Sequence, residues 1–128
     1  MEKEKYRLVK ELQRRGILTG SRRFGVAKKD SDYDYLISPK AWSKYFEHEI
    51  GLIEYDGEDY DEPDFRSFKL KVGGRVYNLL VLHTEKEFIV WKKATDYLLK
   101  MDTWLVKTKS IRCSIFDYAK QAARDGKI

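Results

Sequence analysis

Between residues 17 and 37 the chain runs from an apolar triplet, Ile17-Leu18-Thr19, through Gly20-Ser21 and a polar, glycine-bearing stretch to Asp32-Tyr33-Asp34-Tyr35-Leu36-Ile37. This order limits what the chain can fold into more than any other part of it. The first triplet fits a short strand ending at a tight turn, and Tyr33 to Ile37, aromatic and branched, reads as a second strand. Side chains alternate across a strand, so Asp32 and Asp34 project from one face while Tyr33 and Tyr35 point to the other. Gly20 lets the backbone approach a ligand closely, and consecutive amide hydrogens at such a turn can form an anion nest. Ser21 can donate its hydroxyl to a phosphate oxygen. Arg22, Arg23, Lys28 and Lys29 can neutralise triphosphate charge or simply face solvent. Two carboxylates at this spacing can converge on one Mg²⁺ or Mn²⁺, with water or substrate phosphate completing the shell. With a second ion they become a clamp on both the attacking and leaving oxygens of a displacement at phosphorus. An Asp-x-Asp pair alone is commonly a solvated edge or a cap, and a lone Gly-Ser says less. Their combination, ten residues apart between two strands, points to phosphoryl chemistry.

The rest of the chain supplies the elements around this segment. Residues 2 to 15 read as a helix with Tyr6, Leu8, Val9 and Leu12 on neighbouring faces, and Gly16 is placed to end it in a left-handed conformation. Ser38-Pro39 signals a helix start, with Trp42, Tyr45 and Phe46 inward and a stop near Gly51. Phe68 to Val72 and Arg75 to Leu82 read as strands joined at Gly73-Gly74. Thr84 to Glu87 matches a capping box opening a helix to about Lys100, with Phe88, Trp91, Ala94, Tyr97, Leu98 and Met101 as its apolar stripe. A last helix runs from about Ser110 to Arg124, and residues 102 to 109 carry no clear pattern. Strands near the middle with helices on the flanks predict an α+β domain on a small mixed sheet.

Charge and cysteine usage narrow the function classes. The 128 residues fit a single domain, and the net charge of +5 is uneven, because residues 54 to 64 hold seven acids and no base. The remainder is therefore more basic than the average, which suits a polyanionic partner such as a nucleotide or RNA, or an ordinary solvated surface. The acidic stretch reads as a mobile, solvated loop. The single Cys113 forms no intrachain disulfide and no cysteine zinc cluster, which predicts a reducing, cytoplasmic location. No apolar run reaches the roughly 20 residues of a membrane span, and the N-terminal residues lack the apolar stretch of a signal peptide. His48 and His83 are too few for a zinc site. Trp104, flanked by Lys100, Lys107 and Lys109, is the best candidate for an exposed aromatic that meets nucleic acid.

Gly20-Ser21, then Gly25, then Ser31-Asp32-Tyr33-Asp34-Tyr35 resembles the signature of the DNA polymerase beta-like nucleotidyltransferase superfamily: Gly-Ser, a spacer of some ten residues, and an acid–apolar–acid triplet. The chain's size is similar to that of the minimal and small phage-encoded members, as is a strand like Asn78 to Val81 ahead of a helix bearing Trp91. The resemblance implies one nucleotidyltransferase-like domain over residues 1–128. It also implies transfer of a nucleoside monophosphate from an NTP to an acceptor hydroxyl, with Mg²⁺ and release of pyrophosphate. Carried over by position, Gly20 and Ser21 would contact the triphosphate, and Asp32 and Asp34 would hold metal. The resemblance leaves the acceptor open between tRNA or another RNA, a protein and a small molecule, and a separately encoded helical partner is common among such proteins.

One position departs from that pattern. A third carboxylate is expected on a neighbouring strand, and Val76-Tyr77-Asn78-Leu79-Leu80 places Asn78 there. An amide oxygen can ligate Mg²⁺ but brings no charge and serves as no base near neutral pH. Asn78 can equally be a structural residue pairing with backbone. Three outcomes stay open: a weaker metal site that still works, a replacement acid such as Asp61 or Asp64, or a domain that binds nucleotide or RNA without turnover and regulates a partner.

Overall fold

The computed structural model describes residues 2–55 and 64–128. Helix α1 (Glu2–Arg15) buries Leu8, Val9 and Leu12, while Tyr6 stays exposed. Strand β1 (Ile17–Thr19) follows directly, then a single helical turn α2 (Gly20–Arg23) and strand β2 (Tyr33–Ile37). Ser38 caps the next segment by accepting from the Ala41 amide at 3.1 Å. That segment begins as α3 (Pro39–Ala41), widens into a π-helical turn over Trp42–Phe46 and tightens to a 3₁₀ turn at Glu47–Glu49. Strands β3 (Glu54–Tyr55), β4 (Phe65–Val72) and β5 (Arg75–Leu82) come next, and helices α4 (Glu85–Leu99), α5 (Thr103–Val106) and α6 (Lys109–Arg124) complete the chain. The α+β expectation is met.

The five strands form one mixed sheet in the order β1-β2-β5-β4-β3, antiparallel throughout except for the central β2–β5 pair, which is parallel. Gly73 and Gly74, at φ 59° and 75°, make the β4–β5 turn; two successive positive φ values are what a two-residue hairpin requires and what only glycine adopts cheaply. Strand alternation divides the side chains between two faces. Tyr35, Ile37, Phe68, Leu70, Val72, Tyr77, Leu79 and Val81 pack with α1, Trp42 and Phe46. Leu36 and Leu82, with Ile17, Phe65 and Leu80, pack under α4 and α6 around Val90 and Trp91. At one end of this second face the apolar row gives way to Thr19, Asp34 and Asn78, aligned across β1, β2 and β5. That polar end is where the candidate site lies.

Several expectations shift. Gly16 is not left-handed. Its hydrogen is needed because a Cβ would come within 2.9 Å of Ile37 Cδ1 and of the Leu12 carbonyl oxygen, so the constraint is close packing against β2. Strand β4 begins at Phe65, three residues before the expected Phe68, because Phe65 to Ser67 pair in register with Leu80 to Leu82. Thr84 does accept from the Glu87 amide at 3.0 Å, but the Glu87 carboxylate is held by Arg124 at 2.8 Å, tying α4 to α6. Residues 102 to 109, patternless in sequence, hold α5. The expected acidic loop lies outside the described residues, apart from Glu54, Tyr55 and Asp64, and so does Asp61. No helix among the described residues is long and apolar enough to cross a membrane.

Candidate active site

The Gly20 turn is set by what surrounds it. Thr95 donates its hydroxyl to the Trp91 carbonyl oxygen at 3.0 Å, so its oxygen is left to accept from the Thr19 hydroxyl at 2.8 Å. This buried pair fixes the end of β1 to α4. The chain then turns at Gly20 with φ +71°, and Phe24 and Val26 amides close the turn on the Gly20 and Ser21 carbonyls, both at 3.1 Å. Phe24 is buried against Ala94, Leu98, Val106 and Ala119. A Cβ at Gly20 would overlap the Asp34 Oδ2 atom. Gly20 thus meets two separate demands, a left-handed backbone and direct approach to a carboxylate.

The ten-residue spacer is held from inside. Arg22 donates from Nε and Nη2 to the Ser31 carbonyl at 3.2 and 2.8 Å, and from Nη2 to the Lys29 carbonyl at 3.0 Å. Its guanidinium carbon lies 4.4 Å from the centre of the Tyr33 ring. Ser31 adds a closed turn, accepting from the Lys28 amide at 2.8 Å. Arg22, expected beside a triphosphate, is therefore engaged in holding the spacer and delivering Asp32 to the head of β2.

Asp32 and Asp34 do converge. The Asn78 amide nitrogen donates to Asp32 Oδ2 at 3.1 Å and to Asp34 Oδ1 at 2.7 Å, so one amide bridges both carboxylates. Burial pushes the Asp34 carboxyl above its ordinary range, the Asn78 hydrogen bond pulls it down, the Asp32 charge raises it again, and Lys109 and Arg112 lower it. The Asn78 carbonyl oxygen is buried and has no hydrogen-bond partner. A buried acceptor left unpaired is costly. Turning the amide over about its last bond would replace the two donated hydrogens with that oxygen, giving three oxygen ligands of the hard kind Mg²⁺ prefers. Among the described residues no group of three or more His, Cys, Asp and Glu side chains is assembled for a metal. The donor set that fits a divalent ion is two carboxylates and one amide.

These residues open onto a groove of about 600 Å³ lined by Gly20, Ser21, Lys28, Ser31, Asp32, Asp34 and Asn78 from one side. From the other side α6 and its approach bring Lys107, Lys109, Arg112 and Cys113. Arg23 is exposed and outside this lining. Lys109 and Arg112 were not legible as site residues, since nothing local in the sequence signals that α6 folds back across the polar end of the sheet. A second, more apolar cavity of about 350 Å³ shares Gly20, Asp34, Arg112 and Cys113 and runs beneath α6 past Phe65, Trp91 and Phe116. Asp64, a proposed replacement acid, lies on this cavity but is held by Arg124 at 3.1 Å and Lys120 at 3.9 Å.

Compared with models of known protein families, with curated proteins and with solved structures, the chain matches none. What the site can do rests on its own chemistry. Neighbouring part-buried carboxylates repel each other and favour a cation, and a groove with Lys28, Lys107, Lys109 and Arg112 on its walls attracts a polyanion. A metal-bound polyphosphate satisfies both demands at once.

Proposed function

We propose that the chain is a divalent-metal-dependent nucleotidyltransferase, moving a nucleoside monophosphate from an NTP to an acceptor hydroxyl. The observation that carries this is the convergence of Asp32 and Asp34 on one bridging amide, directly against the left-handed Gly20 turn and inside a groove with basic walls. Together with the Gly-Ser and Asp-x-Asp spacing, it supports membership of the polymerase beta-like superfamily. Ser21, Lys28, Lys107, Lys109 and Arg112 would bind the triphosphate, and Asp32, Asp34 and the Asn78 oxygen would hold Mg²⁺ or Mn²⁺. When bound, the ion supplies neutralisation of the charge that builds on the phosphoryl oxygens. The acceptor oxygen forms a bond to the α-phosphorus, the bond to the β-phosphate oxygen breaks, and pyrophosphate leaves. Asn78 cannot take the acceptor proton, which passes to solvent. The lone Cys113, with no intrachain disulfide open to it, is in keeping with a cytoplasmic setting.

A catalytically silent nucleotide-binding relative is the second reading, favoured by Asn78 itself. Its two donated hydrogen bonds satisfy one oxygen of each acid with no cation between them. Incubation with each α-labelled NTP, Mg²⁺ or Mn²⁺, and total RNA or lysate separates the two. Label transfer that disappears in the double variant Asp32→Ala, Asp34→Ala supports the enzyme. NTP binding with no transfer to any acceptor supports the silent relative. Absence of both binding and transfer refutes each.

A further inference from the structure

The basic wall of the groove reaches Lys107, the residue that caps α5 (Thr103–Val106). Trp104 is 71% exposed there, whereas the other two tryptophans are buried, Trp42 at 4% and Trp91 at 8%. Helical backbone runs from Thr103 through the Lys107 cap, so Trp104 and Lys107 lie three apart on one side of the turn, with Cβ atoms about 5–6 Å from each other. Lys107 in turn lines the groove, next to Lys109 and Arg112. Residues 99 to 112 carry four bases, Lys100, Lys107, Lys109 and Arg112, against one acid, Asp102.

An exposed indole on a lysine-rich segment matches one chemistry closely: flat bases that stack and phosphates that pair with lysine. We propose that the corner between α4, α5 and α6 docks a single-stranded nucleic-acid segment. Trp104 stacks a base, Lys100, Lys107 and Lys109 meet phosphates, and the end of the strand lies in the groove beside Asp32 and Asp34. The role of that strand as acceptor rests on the proposed nucleotidyl transfer, but its docking does not. Stacking and phosphate pairing at this corner need neither the aspartates nor a metal.

The test is a fluorescence titration of the whole protein with short oligoadenylate, oligouridylate and oligothymidylate, in EDTA and without NTP. Because Trp42 and Trp91 are buried, stacking is read through Trp104. Binding should quench its emission, and three phosphate contacts give a slope of log affinity against log salt of about −2. Trp104→Ala should abolish the quench and weaken binding roughly 5- to 100-fold, Trp104→Phe should retain most of the affinity, and Lys100→Ala should make the slope shallower by about 0.7. Asp32→Asn with Asp34→Asn should not weaken binding. Absence of quenching, or equal affinity for wild type and Trp104→Ala, overturns the proposal. So does a Trp104→Ala protein that loses self-association or a protein contact while binding oligonucleotide as before. Label transfer with no oligonucleotide binding refutes this inference alone, and the converse refutes only the enzyme. RNA and DNA arms show which backbone is preferred.

Discussion

Gly20→Ala separates the two demands placed on that residue, because Gly25 provides a matched control. Both glycines are left-handed, at φ 71° and 73°. A side chain at either position costs roughly 1–2 kcal/mol of backbone strain. For a chain of this size that lowers Tm by roughly 4–7 °C. Only at Gly20 does the new Cβ overlap Asp34 Oδ2; at Gly25 it meets nothing within 4 Å. The Asp34 carboxylate must then move by about an ångström to restore ordinary contact, which breaks its 2.7 Å bond from Asn78. A misplacement of that size at a reacting centre costs about 10²-fold in rate. Thermal melts should show a strain-sized loss in Gly25→Ala and a larger one in Gly20→Ala, where the overlap and the broken Asn78 bond add to the strain. Transfer and Mg²⁺-dependent NTP binding should collapse in Gly20→Ala and survive in Gly25→Ala. Wild-type transfer by Gly20→Ala, or an equal loss in both variants, refutes the claim that Gly20 serves the carboxylate.

Asn78→Asp trades two hydrogen bonds to carboxylates for a third negative charge, so the metal-free protein should lose about 2 kcal/mol or more. Mg²⁺ should recover that loss and transfer should accelerate; a melting temperature indifferent to Mg²⁺ contradicts the assignment. The raised carboxyl of Asp34 fixes the sign of a pH effect. Folded protein holds a proton that the unfolded chain releases, so this group's contribution to stability is lost as pH rises from the unfolded value through the folded one. Metal-free Asp34→Asn should therefore melt above wild type at pH 7 and converge with it below about pH 3.9, and a lower melting temperature at pH 7 refutes this. Arg22→Ala frees the Lys29 and Ser31 carbonyls and should cost about 1–3 kcal/mol, with faster amide exchange across residues 24–32. Weakened NTP binding with unchanged exchange would instead mean that Arg22 touches the ligand.

Local signals carried the elements, while tertiary contacts decided much of the site. The charged pattern of residues 2 to 15, the Ser38-Pro39 cap and the Gly73-Gly74 turn are set by short-range chemistry, and each element stands where these signals place it. The convergence of Asp32 and Asp34 was legible because strand alternation is a local property. Gly16 was misread because its constraint comes from Ile37, a neighbour only after β1 and β2 pair. The bonds of Arg22 to the Lys29 and Ser31 carbonyls are likewise beyond sequence reading, because the spacer's own fold arranges those carbonyls. The π-helical turn at Trp42–Phe46 has no composition signal. Lys109 and Arg112 reach the acids only because α6 packs back on α4, held by the Arg124 bonds to Glu87 and Asp64.

The most direct test of the account is calorimetric titration of a non-hydrolysable NTP into the protein with Mg²⁺ present, and again with the metal removed by EDTA. A cation shared between Asp32, Asp34 and the triphosphate predicts saturable binding with Mg²⁺. That affinity should fall at least about tenfold, the equivalent of ~1.4 kcal/mol, when the metal is withdrawn or when Asp32→Asn and Asp34→Asn are combined. Equal affinity with and without metal, or binding indifferent to both substitutions, would contradict it.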